Sequence, residues 1–370
     1  MKKAQLGQFF TTNTEYILQN MAKYVADKEV SDPFAGNQDL LRWADEKSAK
    51  STIGFDVDSH YVDNVKVFYN DSLKNPKKYK FVLTNPPYLY QNKMEDNSIL
   101  AGSKHTDLYQ LSLERIADSD EGIVIVPVNF LSAENAGYIR RFFFERFDIV
   151  EADYFTEQVF GDTTYNVMAF YYRRKAGDRD DILLPLRFRP DDKIIDLRLS
   201  KRFDWRIGGE FLSGIRAFKN RLNIRRLEEK DLSAGPERVL LAFNHVNTVG
   251  EYSVSAKTKR TLDNNVVLLK AIDSGTEAGK IGLENIKARG IEGLVSIKTS
   301  RNQIHLLFPD FVTVEEQEKL IVLFNEELNK ARETYGSLFM TNFRDNDRKR
   351  ISFNFAYDFL NYLYFTRIRV

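Results

Sequence analysis

The sequence predicts an α/β protein: an open, mostly parallel sheet flanked by helices, followed by a second domain of mixed α+β type. Three observations predict it. Short apolar runs alternate with stretches of helical spacing between residues 14 and 147, the rhythm of βαβ units. One of these runs, YKFVLT at residues 79–84, stops at Asn85-Pro86-Pro87-Tyr88. Two prolines in a row cannot donate to a ladder, so this is a rigid turn past the carboxyl end of a strand, where open α/β sheets bind ligands. Last, the runs at 149–155 and 165–173 are joined only by residues 156–164. That link is too short for a helical crossover, so the final strand runs antiparallel.

The elements follow in order. Ile17, Leu18, Met21 and Val25 recur at helical spacing and predict a helix over 14–26. A short strand then ends at Asp32, and DPFAGN (32–37) opens a helix over 39–50, with Gly36 permitting a tight turn and close approach to a ligand. One glycine stands where the dinucleotide fingerprint needs three, so NAD fits poorly. A strand at 52–55 ends in Asp56-Val57-Asp58, where a carboxylate can hold a ribose diol. A helix at 59–64 leads to a strand at 65–69, which ends before Asp71 and Ser72; the strand at 79–84 ends at Asn85. Any one acidic strand end reads most simply as a helix cap. In a parallel sheet, however, Asp32, Asp56, Asp71 and Asn85 fall on one edge, and four turns become one site. Residues 89–106 are polar and irregular and read as a mobile lid. A helix at 107–117, a buried strand at 122–128 and a helix at 138–147 precede the last two strands.

NPPY has chemistry of its own. The Asn85 side-chain oxygen and the Pro86 carbonyl can both accept from one amino group, and Tyr88 offers a flat face for a planar ring. An amine on a heteroaromatic ring is a poor nucleophile because its lone pair is delocalised. Two acceptors on its protons favour pyramidal geometry and localise that pair.

Composition removes other chemistries. The chain has 370 residues, 43% of them hydrophobic and 13% aromatic, which suits two domains with sizeable cores. It has no cysteine, so disulfides, thiolate zinc sites and cysteine nucleophiles are excluded together. His60, His105, His245 and His305 show no paired spacing, so no metal site is expected. The start, MKKAQLGQFF, lacks an apolar signal core and no apolar stretch is long enough to span a bilayer, so a cytoplasmic protein without membrane contact is expected. Residues 1–172 carry 18 Lys and Arg against 25 Asp and Glu, a balance of −7, and residues 173–370 carry 36 against 28, a balance of +8. A basic second half suggests an anionic partner such as nucleic acid, against the plainer alternative of a solvated surface.

With these motifs in place, residues 1–173 resemble the catalytic domain of the class-I, S-adenosylmethionine-dependent amino methyltransferases. They are most similar to the γ-class (TaqI-like) adenine-N6 DNA methyltransferases, in which a GQFFTP-like motif, DPFxG, NPPY and a C-terminal target-recognition domain occur in that order. Here the order is GQFFTT (7–12), DPFAG (32–36) and NPPY (85–88). The resemblance implies a Rossmann-like seven-stranded sheet with an antiparallel last strand over 1–173, a linker at 174–182 and a target-recognition domain over 183–370. It implies S-adenosylmethionine as cofactor, double-stranded DNA as substrate and a cognate restriction endonuclease as candidate partner. The implied cofactor residues are Thr11 and Thr12 at the methionine end, Asp32, Phe34, Ala35 and Gly36 around the amino-acid part, Asp56 and Val57 at the ribose and adenine face, Asp71 and Ser72 at the adenine edge, and Asn85. The implied catalytic turn is Asn85, Pro86, Pro87 and Tyr88, with Phe9, Tyr88 and Phe160 against the target base. Thr12 departs from the family's usual proline. Asparagine in the first NPPY position favours adenine over cytosine-N4.

A target amine inside a duplex must first be flipped out, at a few kcal/mol, and stacking on aromatic rings offsets about 1–3 kcal/mol per contact. In the second half, a strand at 183–189, a basic helix at 211–230, strands within 239–255 and a capped helix at 313–335 are expected. Phosphate-contact candidates are Lys257, Lys259 and Arg260, and Arg344, Arg348, Lys349 and Arg350; a further group lies on the basic helix. Two other readings stay open within enzymes, RNA-adenine and protein-glutamine methylation. A third, from another class, is a catalytically idle DNA-binding subunit. Glutamine enzymes usually lack the GQFFTT element and a large basic C-terminal domain.

Overall fold

The computed structural model describes residues 7, 11–161, 165–272, 281–342 and 349–369. The chain divides into two compact units, one running through Gly209 and one from Glu210 onward.

The first unit is built on a nine-stranded sheet of order β3-β2-β1-β4-β5-β7-β6-β8-β9. Its strands are β1 (Glu29–Asp32), β2 (Ser51–Asp56), β3 (Val67–Tyr69), β4 (Tyr79–Thr84), β5 (Ser119–Pro127), β6 (Phe147–Phe155), β7 (Val167–Arg174), β8 (Asp181–Arg189) and β9 (Lys193–Ser200). β3, β2, β1, β4 and β5 pair parallel in sequence across the sheet, and β7 lies antiparallel between β5 and β6. The first seven strands therefore have the order 3-2-1-4-5-7-6 with the seventh reversed, the expected class-I methyltransferase sheet. β4 and β5 are buried along most of their length, from Phe81 to Leu83 and from Ile123 to Val126, which is why they read as unbroken apolar runs.

Helices α1 (Thr14–Leu18), α2 (Asp39–Glu46), α3 (Leu108–Arg115) and α4 (Gly137–Phe144) accompany this sheet. The helix expected over 14–26 is shorter: after Leu18 the chain passes into a 3-10 turn at Ala22–Tyr24, still burying Met21 and Val25. The helix expected over 59–64 is one 3-10 turn, Ser59–Tyr61. The Asp63 carboxylate accepts from the N–H groups of Val65, Lys66 and Val67 at 2.9, 2.7 and 2.9 Å. That local bonding outcompetes helix and also delays β3 to Val67.

The linker expected at 174–182 is shortened to 175–180, which lie in no regular element. β7 continues to Arg174 and β8 starts at Asp181. β8 pairs parallel with β6 from Ala152↔Leu186 to Phe155↔Arg189, and β9 returns antiparallel along β8. Buried Asp153 fixes this addition: Arg187 Nε lies 3.2 Å from its Oδ1, and Asn20 Nδ2 donates to its Oδ2 at 3.0 Å. Residues 183–209, expected in the second domain, therefore belong to the first unit.

That boundary alters the charge reading. Residues 210–370 carry 25 Lys and Arg against 21 Asp and Glu, a balance of only +4. Part of the expected basic excess sits on the β8–β9 hairpin and its flanks.

The second unit is mixed α+β, as expected. Helix α5 (Gly209–Arg216) leads into it; the basic helix expected to reach 230 stops there. Lys219 and Asn223 have positive φ, and the Asn220 side chain bonds the backbone N–H and carbonyl of Ile224 at 2.8 and 2.6 Å. The chain then forms β10 (Arg225–Arg226) instead. The strands that follow are β11 (Glu237–Phe243), β12 (Val249–Val254), β13 (Val267–Lys270), β14 (Gly282–Asn285), β15 (Gly293–Val295) and β16 (Gln303–Leu307), with a short pair, β17 (Thr341–Asn342) and β18 (Lys349–Arg350), near the end. β10 to β16 form sheets of order β10-β16-β13-β14 and β12-β11-β15. Helix α6 (Ala256–Asp263) follows β12, and α7 (Val314–Tyr335) and α8 (Phe353–Leu363) close the unit. α7 carries the expected Thr313–Glu316 capping box, and its Leu320, Phe324 and Leu328 pack with Leu269 and Phe359 in the unit's main core.

Candidate functional site

The carboxyl ends of β1, β2, β3 and β4 open onto one cavity of about 310 Å³. Asp32, Asp56, Asp71 and Asn85 all line it, so the four strand ends named from the sequence meet in one place. Phe34, Ala35, Gly36, Val57, Ser72, Thr11 and Pro87 line it as well.

The turn after β1 is shaped by its own carboxylates. Asp32 Oδ1 accepts from Phe34 N at 3.0 Å and from Thr84 Oγ1 at 2.6 Å, which ties the end of β1 to β4. Asp56 Oδ2 accepts from Gly36 N at 2.8 Å, and its Oδ1 accepts from Asp58 N at 2.8 Å. Gly36 sits at φ +43°, in the left-handed region that glycine tolerates. Gly54, on β2 beside this turn, has no room for a side chain: a Cβ there would stand 2.6 Å from Ala35 Cβ.

Burial pushes the Asp32 carboxyl up to about 7, against the hydrogen bonds from Thr84 and Phe34, and the charge of Asp56 adds to the rise. Asp56 is also raised by burial, held back by the backbone N–H groups of Asp58 and Gly36. Six carboxylates line the cavity (Asp32, Asp39, Asp56, Asp71, Glu95 and Asp96) against one amine, Lys74, which pairs with Asp71 at 3.1 Å. Such a lining favours a cationic ligand.

Residues 91–99, within the expected lid, supply Met94, Glu95, Asp96, Ser98 and Ile99 to the cavity wall. The two ends of the lid are joined: Gln91 N donates to Thr106 O at 3.0 Å, and Leu108 N to Leu89 O at 3.1 Å. Met94 and Ile99 pack with Leu73, Leu89, Leu100 and Leu108. These wall residues were not singled out from the sequence; their signal was an isolated Met94 and the apolar run Ile99-Leu100-Ala101 in an otherwise polar loop.

At the NPPY turn, Asn85 Nδ2 donates to Thr11 Oγ1 at 3.0 Å, and the Tyr88 hydroxyl donates to Asn85 Oδ1. Tyr88 is buried, 2% exposed, and its hydroxyl also lies 2.6 Å from the Ile125 carbonyl. Burial pushes its phenol well above the usual value. In this arrangement the Tyr88 ring presents no open face, so stacking on a base requires the ring to turn out. Pro86, Tyr88, Phe160 and exposed Thr12 do not line the cavity, and Phe160 is buried at 1% exposure. Phe9 lies outside the described residues.

Among the phosphate-contact candidates, Lys257 and Arg260 on α6 are exposed and Lys259 pairs with Asp263. Lys349 is buried, 6% exposed, and so does not present its amine to solvent; Arg350 is half-buried. Arg344 and Arg348 lie outside the described residues. On the former basic helix, Arg225 pairs with Asp231 at 2.7 Å and Arg226 with Glu228 at 2.9 Å.

The 3-2-1-4-5-7-6 order with a reversed seventh strand, and a cavity at the carboxyl edge, define the first unit as a domain of class-I methyltransferase fold. Within it, residues 8–160 match the model of the Eco57I restriction-modification methylase family. No curated protein matches the chain. Solved structures similar to it include a protein from Pyrococcus horikoshii described as a candidate RNA methyltransferase, 20% identical, covering 47% of this chain and 90% of that one with a TM-score of 0.36. The EcoKI M protein of a type I restriction enzyme is 16% identical over 49% of each chain, TM-score 0.37. The type IIG restriction endonuclease BpuSI is 11% identical over 91% of this chain and 56% of its own, TM-score 0.45. The chain thus spans about half the length of the latter two. Among the described residues no helix is long and apolar enough to cross a membrane.

Proposed function

We propose that the protein transfers a methyl group from S-adenosylmethionine to the N6 amino group of adenine in duplex DNA, with the target base flipped out of the helix. The observation that carries this reading is that Asn85 of NPPY lines the same acidic cavity as Asp32, Asp56 and Asp71. The match of residues 8–160 to restriction-modification methylases supports it.

The lining suits this cofactor, whose sulfonium and ammonium outweigh its one carboxylate. Asp32 and the Phe34–Gly36 turn would hold its amino-acid part, Asp56 and Val57 its ribose and adenine face, and Asp71 and Ser72 the adenine edge. The bound cofactor supplies an electrophilic methyl group on sulfur. Asn85 Oδ1 and the Pro86 carbonyl accept hydrogen bonds from the two N–H groups of the target amine and turn its lone pair toward the cavity. Tyr88 and Phe160, each swung from its buried position, stack on the base. Positioning carries most of the acceleration; no strong base is needed, because the proton leaves after the methyl arrives. The second unit acts as the target-recognition domain, and a restriction endonuclease is a candidate partner.

The test is incubation with labelled S-adenosylmethionine and, separately, duplex DNA, structured RNA and a glutamine-containing peptide. Label in DNA, mapped to adenine by methylation-sensitive sequencing, is the expected outcome. Label confined to RNA or peptide would replace this reading, and cofactor binding without transfer to any of them would favour an idle subunit.

A further inference from the structure

We infer that Thr11 is the positioning residue for Asn85: its hydroxyl holds the nitrogen end of the amide and leaves the oxygen end for the target amine. The inference rests on the methyl-transfer reading above and gives Thr11 a role beyond cofactor contact.

A primary amide is almost symmetric in shape, but its ends do opposite things, since oxygen accepts and nitrogen donates. An Asn85 amide rotated in its site would aim an N–H at the target amine, itself a donor. Nucleophile activation would then be lost even though every residue of NPPY was present. Asn85 Nδ2 donates to Thr11 Oγ1 at 3.0 Å, and Thr11 is buried, 4% exposed. Asn85 is half-buried and both residues line the cavity, so the bond is shielded from water on the Thr11 side.

Thr11 is itself fixed from two sides. The Thr14 hydroxyl donates to its carbonyl at 2.6 Å, anchoring it at the start of α1. Gly7, four positions earlier in the chain, is docked on the NPPY turn, where Tyr88 N donates to Gly7 O at 2.9 Å. Gly7 adopts φ +64°, and a Cβ there would stand 2.9 Å from the Tyr88 carbonyl oxygen, so the approach requires glycine. At the other end of the amide, Oδ1 faces a donor, the Tyr88 hydroxyl. That hydroxyl has one proton and two acceptors, Asn85 Oδ1 and the Ile125 carbonyl at 2.6 Å. It is therefore a displaceable occupant of the oxygen end, and Thr11 carries the hold on the nitrogen end.

The experiment compares Thr11→Val, which removes the hydroxyl at nearly constant volume, with Thr11→Ser, which keeps it. Each variant and the wild type are given tritiated S-adenosylmethionine and duplex DNA from a methylation-deficient host. Single-turnover transfer is measured at saturating cofactor, with cofactor Kd measured separately by calorimetry. Thr11→Val should slow transfer about tenfold or more, the worth of one lost buried hydrogen bond. Its cofactor Kd should change much less, and Thr11→Ser should recover most of the rate. The inference is overturned if Thr11→Val transfers at the wild-type rate, if its rate loss is matched by lost cofactor affinity, or if Thr11→Ser is as slow as Thr11→Val. A wild type that methylates no DNA would instead remove the underlying reading, and the inference with it.

Discussion

At the scale of single residues, the proposed function separates groups that hold the cofactor from groups that act on the target. Asn85 touches the cavity and is anchored through Thr11, whereas Asp56 is anchored through Gly36 and Asp58. Asn85→Ala should therefore lower methyl transfer by about 100-fold or more, the scale of losing one preorganised hydrogen-bonding group, while cofactor binding persists. Asp56→Ala removes charged hydrogen bonds worth about 1.5–3 kcal/mol and should weaken cofactor Kd by about 10- to 100-fold. Calorimetry and transfer rates on both variants check the assignment, and equal losses of cofactor affinity would refute it.

Asp32 adds a pH dependence. Its carboxyl is raised from 3.8 to about 7 in the fold, mainly by burial. Between those values the unfolded chain has lost the proton and the folded chain keeps it. The contribution of Asp32 to stability thus falls as pH rises from 3.8 to about 7, and then levels off. A cation in the cavity favours the ionised form, so cofactor affinity should rise as pH passes upward through about 7, with proton release on binding. Calorimetry across that range in two buffers of different ionisation enthalpy measures both, and Asp32→Asn should flatten the profile.

At the scale of elements, the strand ends were legible in the sequence because each combined an apolar run with a polar stop. β4 and β5 are buried along most of their length, so their patterns were unambiguous. The cavity residues at Asp32, Asp56, Asp71 and Asn85 followed from sheet connectivity alone. The errors fall where side chains bond their own backbone. Asp63 unmakes a helix at 59–64, and Asn220 holds the turn that follows the helix end at Arg216 and keeps the helix from resuming; helical spacing carries no trace of either. The β8–β9 hairpin was hidden for another reason. The pattern of β8 reads as a strand and that of β9 does not stand out, and nothing in a strand's own sequence states which sheet edge it joins.

Asp153 shows what fixes that edge. It is buried on β6, with Arg187 of β8 beside it and Asn20 donating to it. Asp153→Ala removes the acceptor of Asn20 and the negative charge beside the Arg187 guanidinium, a loss of about 2 kcal/mol. The melting temperature should fall by about 4–8 °C for a unit of this size. Differential scanning calorimetry checks this, and an unchanged transition would mean that apolar burial of Leu184, Leu186 and Leu197 holds the hairpin alone.

At the scale of the whole molecule, the boundary at Gly209 revises how DNA binding should be sought. A balance of +8 over residues 173–370 falls to +4 over 210–370, and several of those cations are neutralised by neighbours, as Arg225 is by Asp231 and Lys259 by Asp263. A broad electrostatic field is therefore a weaker argument for DNA than a few exposed cations. Lys257 and Arg260 on α6 are exposed, whereas buried Lys349 is not available in the same way. Each phosphate contact releases counterions, so the logarithm of the binding constant falls with the logarithm of salt concentration by about 0.9 per contact. If Lys257 and Arg260 meet the backbone, replacing both with alanine should reduce that slope by about 2 and weaken all duplex sequences alike, since phosphates carry no sequence information. Titration of labelled duplex at several salt concentrations measures the slope directly. An unchanged slope in the double variant would remove α6 from the DNA-facing surface. A loss confined to one sequence would make these side chains readers of base edges instead.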